Sequence, residues 1–249
     1  MSFRVPLCGT RNPVFDRFRL ALLLPALGLL CLFVLGGMAG FAAEAQKGRL
    51  RILVNDEQVG TETYEIAGTV TEVHARGQVT LGSGEHSLRH TTDLMLGADY
   101  APRTYEWRME QPHQAWLRIS FRGSKAVVRF PREDGQEEEQ IFDFAGPRVA
   151  VLDNNVFHHY LLLTRLYDFQ KGGAQTIPVF VPQSVQPGAV TVELVGVEPR
   201  EVGGESVPVR QLSIRTEDNQ LLLWVTEDGR FVELRVPRAN VTVLPDDAD

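Results

Sequence analysis

Short segments in which apolar and polar residues alternate dominate the chain from Gly48 onward. In "TYEWRME", for example, Tyr105, Trp107 and Met109 fall on one side and charged residues on the other. The segments "TVTEVHARGQVTL", "HSLRHTTDLML" and "AWLRISF" repeat this pattern. A period of two predicts strands of an antiparallel sheet that has one buried face and one solvated face.

Turn signals separate these segments. Asp134-Gly135 and Asp228-Gly229 are dipeptides suited to the positive φ angles of tight hairpin turns, and prolines punctuate the C-terminal half. We predict a mainly β protein of about 11–12 strands. A sheet of that size is expected to curl, giving a curved antiparallel sheet or an incomplete β-barrel.

One stretch, "VLDNNVFHHYLLLTRLYDF" (Val151 to Phe169), has no strand-like alternation and reads as a helix. Asp153, Asn154 and Asn155 can cap its start, and Lys171-Gly172-Gly173 can stop it, which leaves room for about four turns.

The apolar arc of this helix is wider than the ~100° of an ordinary surface helix. His158 and Arg165 lie opposite the apolar stripe and are expected to face water, whereas His159 leans toward the stripe. A helix of this kind needs cover on several sides. We predict that it packs in or over the concave face of the sheet, as a plug or lid.

Residues 1–45 resemble an export leader. Four arginines precede an uncharged run from Leu20 to Gly40, and small residues at Ala43 and Ala45 can form a cleavage site before Gln46. The run is also long enough to remain as a membrane anchor. In either case we expect residues 46–249 to form one exported domain, in the periplasm or anchored to the inner membrane and facing the periplasm, with membrane contact only through an uncleaved N-terminal segment.

The amino-acid composition limits which bonds, metal sites and binding partners we expect. Both cysteines, Cys8 and Cys31, lie in the leader, so the predicted domain has neither a disulfide nor a cysteine metal site. The formal net charge of −7 disfavours nucleic acid as a partner.

Catalytic and metal-binding patterns are weak. His86 and His90 share a strand face with no third ligand at suitable spacing, and "LGSGEH" reads as a strand connection more readily than as a nucleophilic serine site at Ser83. Asp153 is more simply a helix cap than a general base. We predict no catalytic residues, no metal and no cofactor.

The candidate ligand-binding residues are aromatic and apolar side chains expected between helix and sheet. Core packing is the simpler role for most of them, and a buried imidazole bonded to backbone is the simpler role for His159. Their alternative role is the lining of an apolar cavity with a polar handle. The set comprises Tyr105, Trp107, His159, Tyr160, Leu163, Tyr167 and Trp224.

The terminal segment "LLLWVTEDGRFVELRVP" carries a W-x-x-x-D-G-R hairpin after the single helix. In this layout the chain resembles a set of exported bacterial β-rich proteins of unknown function and, more distantly, the Lol-type lipoprotein carriers of the periplasm. The resemblance to the carriers implies an incomplete barrel with a helical lid that holds acyl chains; it covers the order of elements over residues 48–244 and transfers no functional residue.

The sequence leaves two function classes open. The first is a non-enzymatic envelope binding or carrier protein for an apolar or amphipathic, lipid-like ligand. The alternative is an envelope scaffold or assembly factor whose barrel is filled and whose strand edges recruit a protein partner. A large void between helix and sheet would favour the carrier, and close packing of Tyr105, Trp107 and Leu163 would favour the scaffold.

Overall fold

The computed structural model describes residues 45–84, 87–132 and 134–246. The predicted leader lies outside the described residues except for Ala45, and so do Glu85 and His86. Among the described residues, no helix combines the length and apolar character that crossing a bilayer requires.

One sheet of 15 strands forms the molecule. The strands are β1 (Gln46–Val54), β2 (Glu57–Gly68), β3 (Glu72–Leu81), β4 (Leu88–Gly97), β5 (Pro102–Gln111), β6 (Ala115–Arg122), β7 (Lys125–Pro131), β8 (Glu137–Asp143), β9 (Ala150–Val151), β10 (Gln175–Val181), β11 (Gln186–Val202), β12 (Glu205–Arg215), β13 (Gln220–Thr226), β14 (Phe231–Val236) and β15 (Val241–Pro245). The one α-helix among the described residues, α1, spans His159–Thr164.

Nearly every strand pairs with its neighbour in sequence. The order runs β8 to β1, then β15 back to β9, so only the β1–β15 pair joins distant parts of the chain. All pairs are antiparallel except β9–β10, which is parallel. Strands β8 and β9 are the edges, and Phe142 and Phe144 near one edge pack against Phe180 of β10 near the other. The predicted mainly β, open barrel-like fold is therefore confirmed.

The strand count exceeds the prediction. Strand β9 overlaps the start of the segment predicted as helix, at Val151, and β15 follows a short helical turn at Pro237–Ala239. Strand β9 has only two residues, too few to show the alternation that would predict a strand from sequence.

Helix α1 joins the two parts of the core. Leu161 and Leu163 pack with side chains of β1, β2 and β10–β15, whereas Leu162 packs with those of β3–β7. The helix thus packs against the inner face of the sheet, as predicted.

The helix is much shorter than predicted, with 6 residues. Asp153 does not cap it: the N-cap residue is His158, which makes no side-chain capping bond. Asn155 adopts a φ of 61°, outside the helical region. The segment before α1 is irregular because distant side chains satisfy its backbone groups, as described next.

Candidate functional site

Glu62 of β2 fixes the start of α1 from inside the sheet. It is fully buried, and its carboxylate accepts hydrogen bonds from the backbone N–H of Phe157 at 2.8 Å and of His158 at 3.4 Å. The His158 side chain donates from Nδ1 to the same carboxylate at 2.6 Å. One side chain therefore serves three donors that the helix start would otherwise leave without acceptors.

The imidazole of His158 lies flat on the sheet. It stacks on Tyr64 with ring centroids 5.7 Å apart and planes 3° apart. Beneath it is Gly77 of β3, which pairs with Tyr64 on one side and with Thr92 on the other. A Cβ at position 77 would lie 2.5 Å from His158 Cε1. Glycine is required here because the ring occupies the space of its side chain.

Asp153 connects the segment before α1 to the sheet through a second set of hydrogen bonds. Its carboxylate accepts a hydrogen bond from the Tyr105 hydroxyl of β5 and from the backbone N–H groups of Asn154 (2.9 Å) and Gln183 (3.0 Å). Burial raises the pKa of Asp153 to about 6, although these bonds oppose the shift. Burial, with the carboxylate beside it, raises the pKa of Tyr105 well above 10.

His159 and His90 complete the buried polar cluster. His159 contacts the ring of Tyr105 edge-on and the ring of His158 at a 4.6 Å centroid distance. Burial holds the pKa of His159 well below its usual value and lowers that of His90 to about 4. Both imidazoles are therefore neutral near pH 7.

The cluster is sealed from solvent. His158 and His159 are both 0% exposed, so a substrate in solution cannot reach them. Within the described part of the chain, no three His, Cys, Asp or Glu side chains form a group that could hold a metal ion. We therefore interpret the cluster as the anchor that places α1 on the sheet.

Replacing Gly77 by alanine is expected to lower the free energy of unfolding by about 2 kcal/mol, because the new methyl group displaces His158 from a filled core. Chemical denaturation measures this change. Gly146→Ala is the matched control, since a Cβ there has no neighbour within 4 Å. Equal stability of the two variants would show that His158 does not depend on position 77.

The structure places the predicted ligand-binding residues in three environments. Tyr105, Trp107 and His159 come together in the buried cluster on the β4–β5 side. Leu163 and Tyr167 lie in the other part of the core, at 1% and 4% exposure. These five side chains are closely packed.

Tyr160 is half-buried and borders a cavity of only about 40 Å³. Trp224 points away from the core toward the outer face, where the guanidinium groups of Arg200 and Arg235 cover its ring at 4.5 and 5.4 Å. The seven residues therefore do not line one common cavity.

Two larger cavities lie side by side at one end of the barrel, beside the C-terminal end of α1. We call them together the mouth groove, with an apolar lobe and a polar lobe. The apolar lobe has a volume of about 190 Å³ and lies between α1 and the ends of β2–β4. Its apolar lining comprises Ile66, Val73, Ala98, Tyr100, Leu161 and Leu162.

The polar lobe is wider, at about 730 Å³. It lies where β1 begins and β15 ends, against the turns of the β11–β12 and β13–β14 hairpins. Its charged lining comprises Lys47, Arg49, Arg165, Arg230, Asp228 and Asp246.

Gln46 and Arg165 line both lobes. Gln46 Nε2 donates to the carbonyl of Gly229 at 3.2 Å, and Arg165 Nη2 donates to the carbonyl of Asp228 at 3.3 Å. These two side chains therefore bridge from β1 and α1 to the β13–β14 turn and stand between the lobes.

Another surface groove, of about 580 Å³, lies on the outer face of β2–β5. Its charged side chains pair with one another, as in Arg108–Glu106 at 2.8 Å and Arg76–Asp93 at 3.2 Å. It has the character of a solvated sheet face, so the mouth groove is the better candidate site.

Two expectations about the helix need correction or extension. His158 was expected to face water and is instead fully buried, because Glu62 and Gly77 form a niche for it. Arg165 is exposed, as expected, yet it lines the groove. Glu62 was missed, although its inward position follows from the alternation with Tyr64 on the same strand.

Comparisons with known proteins support the fold. No protein-family model and no curated protein matches this sequence. Among solved structures, the chain is similar to a β-barrel-like protein of the domain of unknown function DUF1849 from Brucella abortus, with a TM-score of 0.52 and 10% identity. The similarity covers 80% of this chain and 93% of that one. At such low identity it establishes a shared barrel-like fold alone.

Proposed function

We propose that this protein is a non-enzymatic binding or carrier protein of the cell envelope, and that its ligand is lipid-like and occupies the mouth groove. The observation that carries the proposal is that an apolar lobe and a polar lobe lie on either side of Gln46 and Arg165, which line both. A ligand with an apolar chain and a polar end can satisfy both. Ligand sites commonly pair apolar lining with a few placed polar groups.

The groove differs from the site expected from sequence. The interior cavities beside Tyr160 and His159 have volumes of about 40 and 10 Å³, too small for an acyl chain. The apolar lobe lies at the end of the barrel, where Leu161 and Leu162 of α1 contribute to its wall. We therefore place the ligand beside the helix end, and the predicted aromatic residues support the fold around it.

The position of the N-terminal residues suits a lipid ligand. Ala45 and Gln46 line the polar lobe, five residues after the apolar run ends at Gly40. An extended chain of that length spans at most about 18 Å. If the run stays in the membrane, the groove lies close to the bilayer surface; if it is cleaved, the same groove serves a periplasmic carrier.

Filling the apolar lobe tests the proposal. Ala98 is an exposed lining residue in a turn, so Ala98→Trp occupies the lobe without disturbing the core. We expect this variant to bind a fluorescent fatty acid about tenfold more weakly than the wild type, because the chain loses its apolar contacts. Fluorescence titration of purified residues 46–249 measures the affinity, and native mass spectrometry after organic extraction identifies any co-purified lipid.

Ala145→Trp is the control, since Ala145 is also exposed in a loop and lies away from the groove. Unchanged affinity in Ala98→Trp would contradict the proposed location. A wild-type protein that carries no lipid and takes up none would contradict the carrier function.

Two observations favour the alternative, a scaffold or assembly factor that acts through protein contacts. The first is the close packing of Tyr105, Trp107 and Leu163, which is the condition given above for a filled barrel.

The second is the β11–β12 hairpin. Beyond Val192, β11 pairs only with β12, and β12 has no second partner before Val209. This part of the hairpin is a two-stranded ribbon, which Arg200 connects to Glu233 of β14 at 2.8 Å. The ribbon exposes Val195 and Val197, at 57% and 53%. Exposed β-branched residues of this kind suit contact with a protein partner.

A further inference from the structure

We propose that the mouth groove selects ligands whose polar end is an anion, a carboxylate or phosphate, and that Arg165 recognises it. This inference rests on the proposed function, because it assumes that an apolar chain fills the apolar lobe. It concerns the charge of the ligand, which the apolar lobe does not determine.

The charge of the polar lobe is the first observation. The whole chain is acidic, with a formal net charge of −7, yet four cationic and two anionic side chains line this lobe. Both acids are already paired with arginine: Asp246 with Arg49 at 3.0 Å and Asp228 with Arg230 at 3.0 Å. Lys47 is paired with Glu65 at 3.1 Å, so Arg165 is the one cation of this lobe that no carboxylate of the described residues pairs with.

The position of Arg165 is the second observation. Its side chain lines both lobes, so it lies where the polar end of a ligand would sit if the chain entered the apolar lobe. Arg165 is the only charged residue among the described residues that line the apolar lobe. No carboxylate in the described part of the chain lies within ion-pair distance of it; its hydrogen bond is to the carbonyl of Asp228.

The third argument is the chemistry of the guanidinium group. Arginine presents several N–H donors in one plane and binds carboxylate and phosphate with two parallel hydrogen bonds. A backbone carbonyl can use only one of those donors well. An anionic ligand end can therefore replace the Asp228 carbonyl with a stronger, charge-assisted contact, and Gln46 beside it can donate from its amide.

Two probes with the same fluorescent polyene chain test the inference, one ending in a carboxylic acid and one in an alcohol. At about pH 8 the acid is ionised. We expect the wild-type domain to bind the acid about tenfold more tightly than the alcohol, and Arg165→Gln to bind the two probes about equally. The preference should also shrink at high salt.

Arg238→Gln is the matched control. Arg238 is likewise exposed and donates to a backbone carbonyl, that of Asp218 at 2.6 Å, but it does not line the groove. Equal binding of both probes by the wild type, or a preference that survives in Arg165→Gln, would overturn the role of Arg165 and leave the proposed function intact. If the wild type bound neither probe, both proposals would be overturned.

Discussion

Replacing Glu62 by alanine is expected to lower the free energy of unfolding by about 4 kcal/mol, the largest effect of any single polar substitution that we predict. The change removes the acceptor of three donors that stay buried: the N–H groups of Phe157 and His158 and the His158 Nδ1–H. Each donor left unpaired costs about 1–3 kcal/mol, partly offset by local relaxation. Urea denaturation of residues 46–249 gives the difference from the shift in midpoint.

Glu65→Ala is the control for this substitution. Glu65 lies on the same strand, three residues further on, with its side chain 40% exposed in an ion pair with Lys47 at 3.1 Å. Such surface pairs are worth about 0–1 kcal/mol. If both variants lost the same small amount, Glu62 would not hold the helix start.

The stability of the wild-type domain should fall as the pH drops from about 6 to 4, with a slope that depends on three buried groups. The pKa of His90 is lowered to about 4 and that of His159 is also lowered. In this range the unfolded chain protonates both histidines more fully than the folded chain does, so acid favours unfolding. Each such proton contributes about 1.4 kcal/mol per pH unit.

Asp153 acts in the opposite direction. Its pKa is raised to about 6, so between its unfolded value of 3.8 and pH 6 the folded state holds a proton that the unfolded state lacks. Its contribution is fully present below the unfolded value and is lost as the pH rises through 6. This contribution offsets that of one histidine. In the wild type, the free energy of unfolding should therefore change with pH by the amount expected for about one proton.

Two variants separate these contributions. Asp153→Asn should roughly double the slope, because both histidines then act without opposition, whereas His90→Leu should bring it close to zero. The measurement is the free energy of unfolding at several pH values between 4 and 6, compared as slopes, so that a constant loss of stability in a variant does not matter. Parallel curves for all three proteins would show that His90 and Asp153 titrate alike in the folded and unfolded states.

Much of the fold could be predicted from sequence because successive side chains of a strand point to opposite faces of the sheet. This period of two is visible in the sequence as alternating apolar and polar residues. Tyr105 and Trp107 face inward as that pattern indicates, and the hairpins at Asp134-Gly135 and Asp228-Gly229 are present. The length of the helix could not be predicted in the same way. Asp153 has the residue type of a cap, but its carboxylate bonds Tyr105, which lies 48 positions away.

The candidate site was harder to predict because its parts meet only in three dimensions. Glu62 reaches Phe157 across 95 positions, and nothing local marks that contact. Arg165 and Gln46 carry no motif, and they become a pair only because β1 and α1 end at the same side of the barrel. The burial of the aromatic residues could be predicted from sequence, whereas the position of the mouth groove could not.

The pairing of β1 with β15 has a consequence for how the chain acquires its shape. Asn55 and Asn240, at the ends of these strands, hydrogen-bond across 185 positions, while most other hairpins close locally. During synthesis from the N-terminus, β1–β8 can form early, but one edge of β1 stays open until β15 emerges. Until then the molecule is two separate sheets with bare edges, exposed to mispairing, and a chaperone that shields β1 would act in that interval.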